Sequence, residues 1–171
     1  TDCGHSEAVV DKCSECGGLM KRVGSGTQKV EQELFDLFPK AKVLRMDADT
    51  VGASRGHEAL LREFEEKKIP ILLGTQMVAK GLDFENVTLV GVLDADLSLY
   101  AQNYHAAERT YSLLAQVVGR AGRGERPGRA VIQTYHPENE VIQAAAKQDY
   151  ETFYQNELRM RSLRRYPPFA D

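Results

Sequence analysis

The chain has 171 residues with a formal net charge of −3, 42% of them hydrophobic and 27% charged, enough to fill one core and carry a small appendage in ordinary globular proportions. That slight acidity excludes nucleic-acid binding by bulk electrostatics and confines phosphate contacts to local basic clusters, Arg120, Arg123, Arg126 and Arg129, and again Arg159, Arg161, Arg164 and Arg165. No run approaches the roughly 18 apolar residues of a membrane helix, and no signal peptide is visible, so the expectation is a cytoplasmic protein with no membrane partner.

Residues 1–22 hold all three cysteines, as Cys3-x9-Cys13-x2-Cys16 followed by Gly17-Gly18. A Cys-x-x-Cys-Gly-Gly turn lets backbone amides point at both thiolates, and tetrahedral zinc is the usual occupant of such knuckles. Three cysteines are one ligand short. Either His5 completes the set, or the fourth ligand lies before Thr1, or Cys3 and the Cys13/Cys16 pair belong to two interleaved sites. Buried structural thiols and a redox pair are the competing readings, and the second lacks the strand and helix of thioredoxin-type motifs. With no initiator Met and an opening inside half of a metal knuckle, the chain reads as a piece of a longer protein.

Residues 23–148 read as an α/β domain. Ser25 and Gln28 stand at capping-box spacing, and Val30, Leu34, Leu37 and Phe38 recur on one helical face until Pro39, a stripe expected in the core. A strand over 42–46 is followed by Asp47-Ala-Asp-Thr50 at its carboxyl end. There a ligand role for Asp47 or Asp49 competes with an ordinary turn or cap. A helix from about His57 to Lys68 turns Leu60, Leu61 and Phe64 inward and its charges outward. The apolar runs 69–73 and 87–93 predict strands buried on both faces, joined by Thr75 to Asp83, with Asp94 and Asp96 just past the second.

A further helix, about Tyr104 to Val118, packs through Tyr104, Ala107, Tyr111, Leu114, Ala115 and Val118. A strand over 129–134 follows, then one or two helices between about Asn139 and Arg165. Residues 149–171 are assigned to a C-terminal helix and linker. Strands alternating with helices through short connections predict a RecA-like parallel sheet with flanking helices.

The helix ending at Val118 delivers Gln116-Val-Val-Gly-Arg-Ala-Gly-Arg123. Two guanidinium groups, Arg120 and Arg123, each after a glycine, form a permanently charged pair suited to phosphate oxygens. Gly119 and Gly122 remove side chains where the backbone must approach a nucleotide or a facing domain. The plainer reading is a helix that ends in a glycine-rich basic turn. Upstream, Thr75 is followed by Gly81-Leu82-Asp83, directly after the apolar run ending at Leu73. No Gly-x-x-x-x-Gly-Lys-Ser/Thr loop occurs, so the domain has no triphosphate cradle of its own.

In order and spacing these two segments resemble the last two motifs of superfamily 2 helicases and translocases. The second, Gln-x-x-Gly-Arg-x-Gly-Arg, matches at every fixed position. The cysteine knuckle before the domain, Gly26-Thr27, Arg45-Met-Asp-Ala-Asp-Thr50 and Tyr166-Pro-Pro-Phe169 narrow the resemblance to the bacterial replication-restart (primosomal) DNA helicases over essentially the whole chain.

That resemblance implies the second of two RecA-like lobes that sandwich ATP with Mg2+, the first lobe carrying the phosphate loop. Arg123 is then the arginine finger, Arg120 its support, and Gln116 the link to the lobe interface. Gly81, Asp83 and Gly119 lie beside the nucleotide, while Thr75 and Lys80 meet the backbone of single-stranded DNA. For Thr75 a helix N-cap is the alternative, and for Lys80 a merely solvated lysine. It further implies 3′-to-5′ unwinding in the full-length enzyme, with no ATPase activity from this part alone. Implied partners are single-stranded and forked DNA, other primosome proteins and single-stranded-DNA-binding protein, in a nucleoid-associated cytoplasmic setting with zinc on Cys3, Cys13 and Cys16. The competing readings are a zinc-knuckle scaffold for primosome partners or single-stranded DNA, and the second lobe of another superfamily 2 translocase.

Overall fold

The computed structural model describes residues 12–13, 15–19, 26–47, 56–75, 86–101, 103–121 and 127–170. Among them α1 spans Thr27–Leu37, β1 Val43–Met46, α2 Gly56–Glu66 and β2 Ile71–Gly74. Then come β3 (Leu89–Val92), α3 (Asp96–Leu99), α4 (Ala106–Val118) and β4 (Arg129–Ile132). The last two helices are α5 (Glu140–Lys147) and α6 (Tyr150–Arg164).

The expected parallel pairing is present: β1 bonds to β2, with Val43 opposite Ile71, and β3 to β4, with Leu89 opposite Arg129. Each partner follows a helical crossover, as parallel strands require. In place of one sheet, the described strands make two separate two-stranded sheets. Apolar patterning says which residues form strands and which face they bury, but it does not name the neighbour a strand edge bonds to.

In the first unit Met46 is fully buried, with Val30, Leu60 and Ile69 almost so. Its polar seam is specific. Thr27 donates its hydroxyl to Asp47 Oδ2 at 2.6 Å, and Arg45 Nη1 reaches Glu31 Oε2 at 2.8 Å. Arg45 Nε stands 3.0 Å from Asp47 Oδ2, an ion pair outside hydrogen-bond geometry. The Gly26-Thr27 and Arg45-to-Asp47 segments are therefore two sides of one clamp between α1 and β1. The stripe expected in the core is only partly there: Val30 is buried and Leu34 half-buried, whereas Leu37 and Phe38 are exposed. Phe38 is the C-cap, with φ −129° and ψ 66°, and leaves the helical stripe; Leu37 stays on it but in the last turn, beyond what β1 and β2 cover.

The second unit holds the larger core. Tyr111 and Leu114 of α4, Ile142, Ala144 and Ala145 of α5, and Phe153 of α6 close over Ala95, with Val92 and Ile132 beneath. Tyr111 stacks on Phe153 with ring centroids 4.1 Å apart and planes 10° from parallel. Of the two runs expected to be buried on both faces, β2 is half-buried along its length and β3 alternates, with Leu89 exposed and Val90 half-buried; β4 alternates in the same way, with Val131 exposed. Among the described residues, helices cover one face of the β3–β4 pair.

Asp96 is buried at the carboxyl end of β3. It accepts the Thr134 hydroxyl at 3.0 Å and the Tyr135 amide at 2.9 Å, binding the ends of β3 and β4 together. Asp94 beside it takes φ 55°, which a short polar side chain tolerates; its amide donates to the Gln133 side-chain oxygen at 3.2 Å.

Candidate functional site

The geometry of α4 decides where the two-arginine turn begins. Ala106, Thr110, Tyr111 and Leu114 are buried, and the Thr110 hydroxyl donates back to the Ala106 carbonyl at 2.7 Å, so that buried hydroxyl is satisfied within the helix. With its inner stripe locked against α5 and α6, the helix presents its last turn in one orientation. Gln116, Gly119 and Arg120 are all half-buried at that exit. The Gly119 amide donates to Ala115 at 2.9 Å, that of Arg120 to Val117 at 3.1 Å and that of Ala121 to Val118 at 3.2 Å. The last two skip only three residues, so the helix tightens as it ends.

Gly119 has φ −66° and ψ −8°. Any residue adopts those angles, so conformational freedom does not explain this glycine. Crowding does: a Cβ there would stand 3.0 Å from Gln148 Nε2 and 3.2 Å from the Ala115 carbonyl oxygen. Gln148 is the C-cap of α5, with φ 56° and ψ 31°. For these atoms the close neighbour is Gln148, inside the domain itself.

Of the other residues singled out in the sequence, Thr75 is exposed directly after β2. Arg123, Gly122, Gly81, Asp83, Lys80 and Cys3 lie outside the described residues. Sequence reasoning missed Gln148. Its signal is faint: Asp149 caps α6 through the Thr152 amide at 3.0 Å, and a cap so soon after Lys147 forces a sharp elbow at the intervening residue.

It also missed Arg161 as a tie between α6 and α4. Arg161 Nη2 pairs with Glu108 Oε2 at 2.9 Å, its Nε with Glu157 Oε1 at 2.8 Å, and its guanidinium lies 5.6 Å from the Tyr104 ring centroid. Tyr104, expected in the packing face, is 42% exposed and held from outside by this cation and by Tyr166, centroid to centroid 5.8 Å. His105 bonded to Glu108 is the largest influence holding that carboxyl below its ordinary value, and Arg161 adds to it.

The cysteine turn is the second candidate site. Gly17 takes φ 68° and its amide donates to the Cys13 carbonyl at 3.0 Å; the Cys13 amide donates to Gly18 at 2.9 Å, and Lys12 pairs with Leu19 across the turn. The backbone amide of Cys16 first, then that of Glu15 and the Cys16 side chain, hold the Cys13 thiol below its ordinary value. Amides that favour a thiolate on a Cys-x-x-Cys turn suit a thiophilic metal. The two sulfurs make half of a tetrahedral ligand set, and among the described residues no third Cys, His, Asp or Glu joins them.

Comparison with known proteins gives a consistent picture. Residues 21–125 match the family model described as helicase conserved C-terminal domain. The replication restart protein PriA of Bacillus subtilis (strain 168) is 54% identical over 168 residues, 98% of this chain and 21% of that protein. PriA of Synechocystis is 45% identical over 169 residues, 98% of this chain and 20% of that protein. For PriA of Chlamydia pneumoniae the figures are 43% over 159 residues, 92% and 21%. The chain thus spans about a fifth of the length of these relatives. No helix among the described residues is long and apolar enough to cross a membrane.

Proposed function

The chain belongs to the helicase conserved C-terminal domain family, and from that premise we propose that it is the RecA-like second motor lobe of an ATP-dependent 3′-to-5′ DNA helicase acting in replication restart. The observation that carries the reading is a family match across the whole Gln116 to Arg123 segment, whose first half stands at the exit of a helix fixed by the core. The relatives at 43–54% identity are replication restart proteins by name, which narrows the helicase to replication restart.

In this reading the catalytic site is composite. The first lobe holds ATP and Mg2+, and this lobe brings cations to it. Arg123 meets the γ-phosphate and stabilises charge that develops as the phosphoryl group leaves, while Arg120 supports it and Gln116 links the site to the lobe interface. A finger of this kind is worth about 10³ to 10⁵ in rate. Gly81, Asp83 and Gly119 border the nucleotide. Thr75, exposed at the end of β2, and Lys80 touch phosphates of single-stranded DNA without reading bases, as a motor that moves along any sequence requires.

Cys13 and Cys16 supply two corners of a zinc site, with Cys3 a third. Zinc there cross-links the turn and carries no chemistry of the reaction. Forked DNA, primosome proteins and single-stranded-DNA-binding protein are the partners this assignment implies, in the bacterial cytoplasm.

The test is Arg123→Ala in the full-length protein. Unwinding and DNA-stimulated ATP hydrolysis are expected to disappear while fork binding persists. Normal hydrolysis with lost partner or DNA binding would instead favour a zinc-knuckle scaffold.

A further inference from the structure

Gly119 and Gln148 are a reciprocal pair in which each residue is the unexpected one. Gln148 occupies the left-handed region at the end of α5, φ 56°, a place where glycine or asparagine is the usual choice because a longer side chain is strained there. Gly119, the C-cap of α4, occupies ordinary right-handed helical angles, φ −66°, so its backbone conformation does not ask for glycine. The oddities explain each other through one contact, since the Gln148 amide nitrogen lies 3.0 Å from the point a Cβ on Gly119 would take.

The Gln148 backbone has little room to move. Asn139 caps the other end of α5 by accepting from the Val141 and Ile142 amides, and Ile142, Ala144 and Ala145 of that helix are in the core. The Gln148 amide donates to Ala145 at 3.1 Å and that of Asp149 to Ala144 at 2.9 Å. On the far side the Asp149 side chain accepts the Thr152 amide and hydroxyl, at 3.0 and 2.7 Å. The elbow between α5 and α6 is therefore a fixed post, and the Gln148 side chain reaches from it to the glycine that precedes Arg120.

We infer that Gln148 is a positioning residue: its amide is the stop against which the last turn of α4 rests, and it sets where the Arg120 guanidinium projects. The inference rests on the proposed role of Arg120 at a shared nucleotide site. A reacting geometry displaced by about 1 Å can lose on the order of 100-fold in rate, so a small stop has a large lever.

The experiment uses the full-length protein and follows DNA-stimulated ATP hydrolysis together with thermal unfolding. Gln148→Gly removes the amide while relieving the left-handed backbone, so the unfolding midpoint is expected to hold or rise. The kcat is expected to fall roughly tenfold or more, with KM for ATP unchanged. Gln148→Glu, which keeps a side chain of the same length and shape against Gly119, is expected to retain most of the rate. Arg120→Ala, assayed alongside, is expected to abolish turnover. Turnover within about twofold of the parent for Gln148→Gly, while Arg120→Ala is inactive, overturns the inference. So does a rate loss that tracks a lower unfolding midpoint, or a Gln148→Glu variant that loses as much rate as Gln148→Gly. Full activity of Arg120→Ala would overturn the nucleotide-site reading itself, whatever Gln148→Gly does.

Discussion

The hydroxyl of Thr27 donates to the carboxylate of Asp47 at 2.6 Å, joining the first turn of α1 to the end of β1 across twenty positions of sequence. Asp47 is buried and also faces Arg45, which in turn reaches Glu31 in the middle of α1. This carboxylate serves the fold, and the consequence is asymmetric. Asp47→Ala strips two partners at once and leaves a guanidinium only 18% exposed with Glu31 as its remaining carboxylate, which costs about 1.5–3 kcal/mol. Thr27→Val removes one donor and keeps the shape, at about 1 kcal/mol. Urea denaturation should rank the two in that order, and equal losses would argue against the clamp.

Tyr111 anchors α4 to the two helices that follow it. It is 6% exposed, stacked on Phe153 and central to the cluster that joins α4, α5 and α6. Replacing it with alanine opens a cavity that helices on three sides cannot close, and the expected cost is about 3–5 kcal/mol. Tyr111→Phe keeps the stack and should fall within about 1 kcal/mol of the parent. A mild Tyr111→Ala in chemical denaturation would show that this core can collapse around the gap.

These residues mark what the sequence made legible. Tyr111, Leu114 and Ala115 recur at helical spacing, so the face of α4 could be read directly. Strand positions were equally plain, to within two residues. Pairing was not, because an edge strand offers the same hydrogen bonds to either neighbour, and the described strands divide into two sheets. Asp47 and Asp96 illustrate a different limit. An aspartate at the carboxyl end of a parallel strand has the same spacing whether it faces a ligand or an internal donor. Only the three-dimensional partners, Thr27 and Arg45 for one, Thr134 and Tyr135 for the other, identify both as internal clips. Gly119 was marked as a close approach, but what approaches it lies 29 positions further along the chain.

Zinc on the cysteine turn can be tested by composition. The Cys13 thiol, held below its ordinary value by the amides of Cys16 and Glu15, is prepared to bind as thiolate, and serine offers a poor ligand for zinc in the same space. Cys13→Ser and Cys16→Ser in the full-length protein should each lower the zinc content measured by elemental analysis. Neither should alter the exit of α4 at residues 116–121, which follows from the core that α4 shares with α5 and α6. Unchanged zinc in both variants would remove this turn from the metal site.

Glu108 gives a prediction in pH. It accepts from His105 Nδ1 at 3.0 Å and pairs with Arg161 Nη2 at 2.9 Å, and both contacts, His105 foremost, hold its pKa below the ordinary value near 4.5. A carboxyl with a depressed folded value stabilises the fold fully above its unfolded pKa and loses that contribution as pH falls through the folded one. The tie between α4 and α6 should therefore be constant near neutrality and weaken progressively below about pH 4.5. Glu108→Gln removes the titration. Its urea midpoint should lie below the parent's at neutral pH, and the gap should narrow as acid protonates the parent. The carboxylate is half-exposed, so the effect is modest and added salt should shrink it further. The Tyr111–Phe153 stack and the core it belongs to join α6 to α4 independently of this pair, so the transition should stay single. Midpoint curves that run parallel from pH 7 to pH 3 would mean that the pair contributes nothing to holding these helices together.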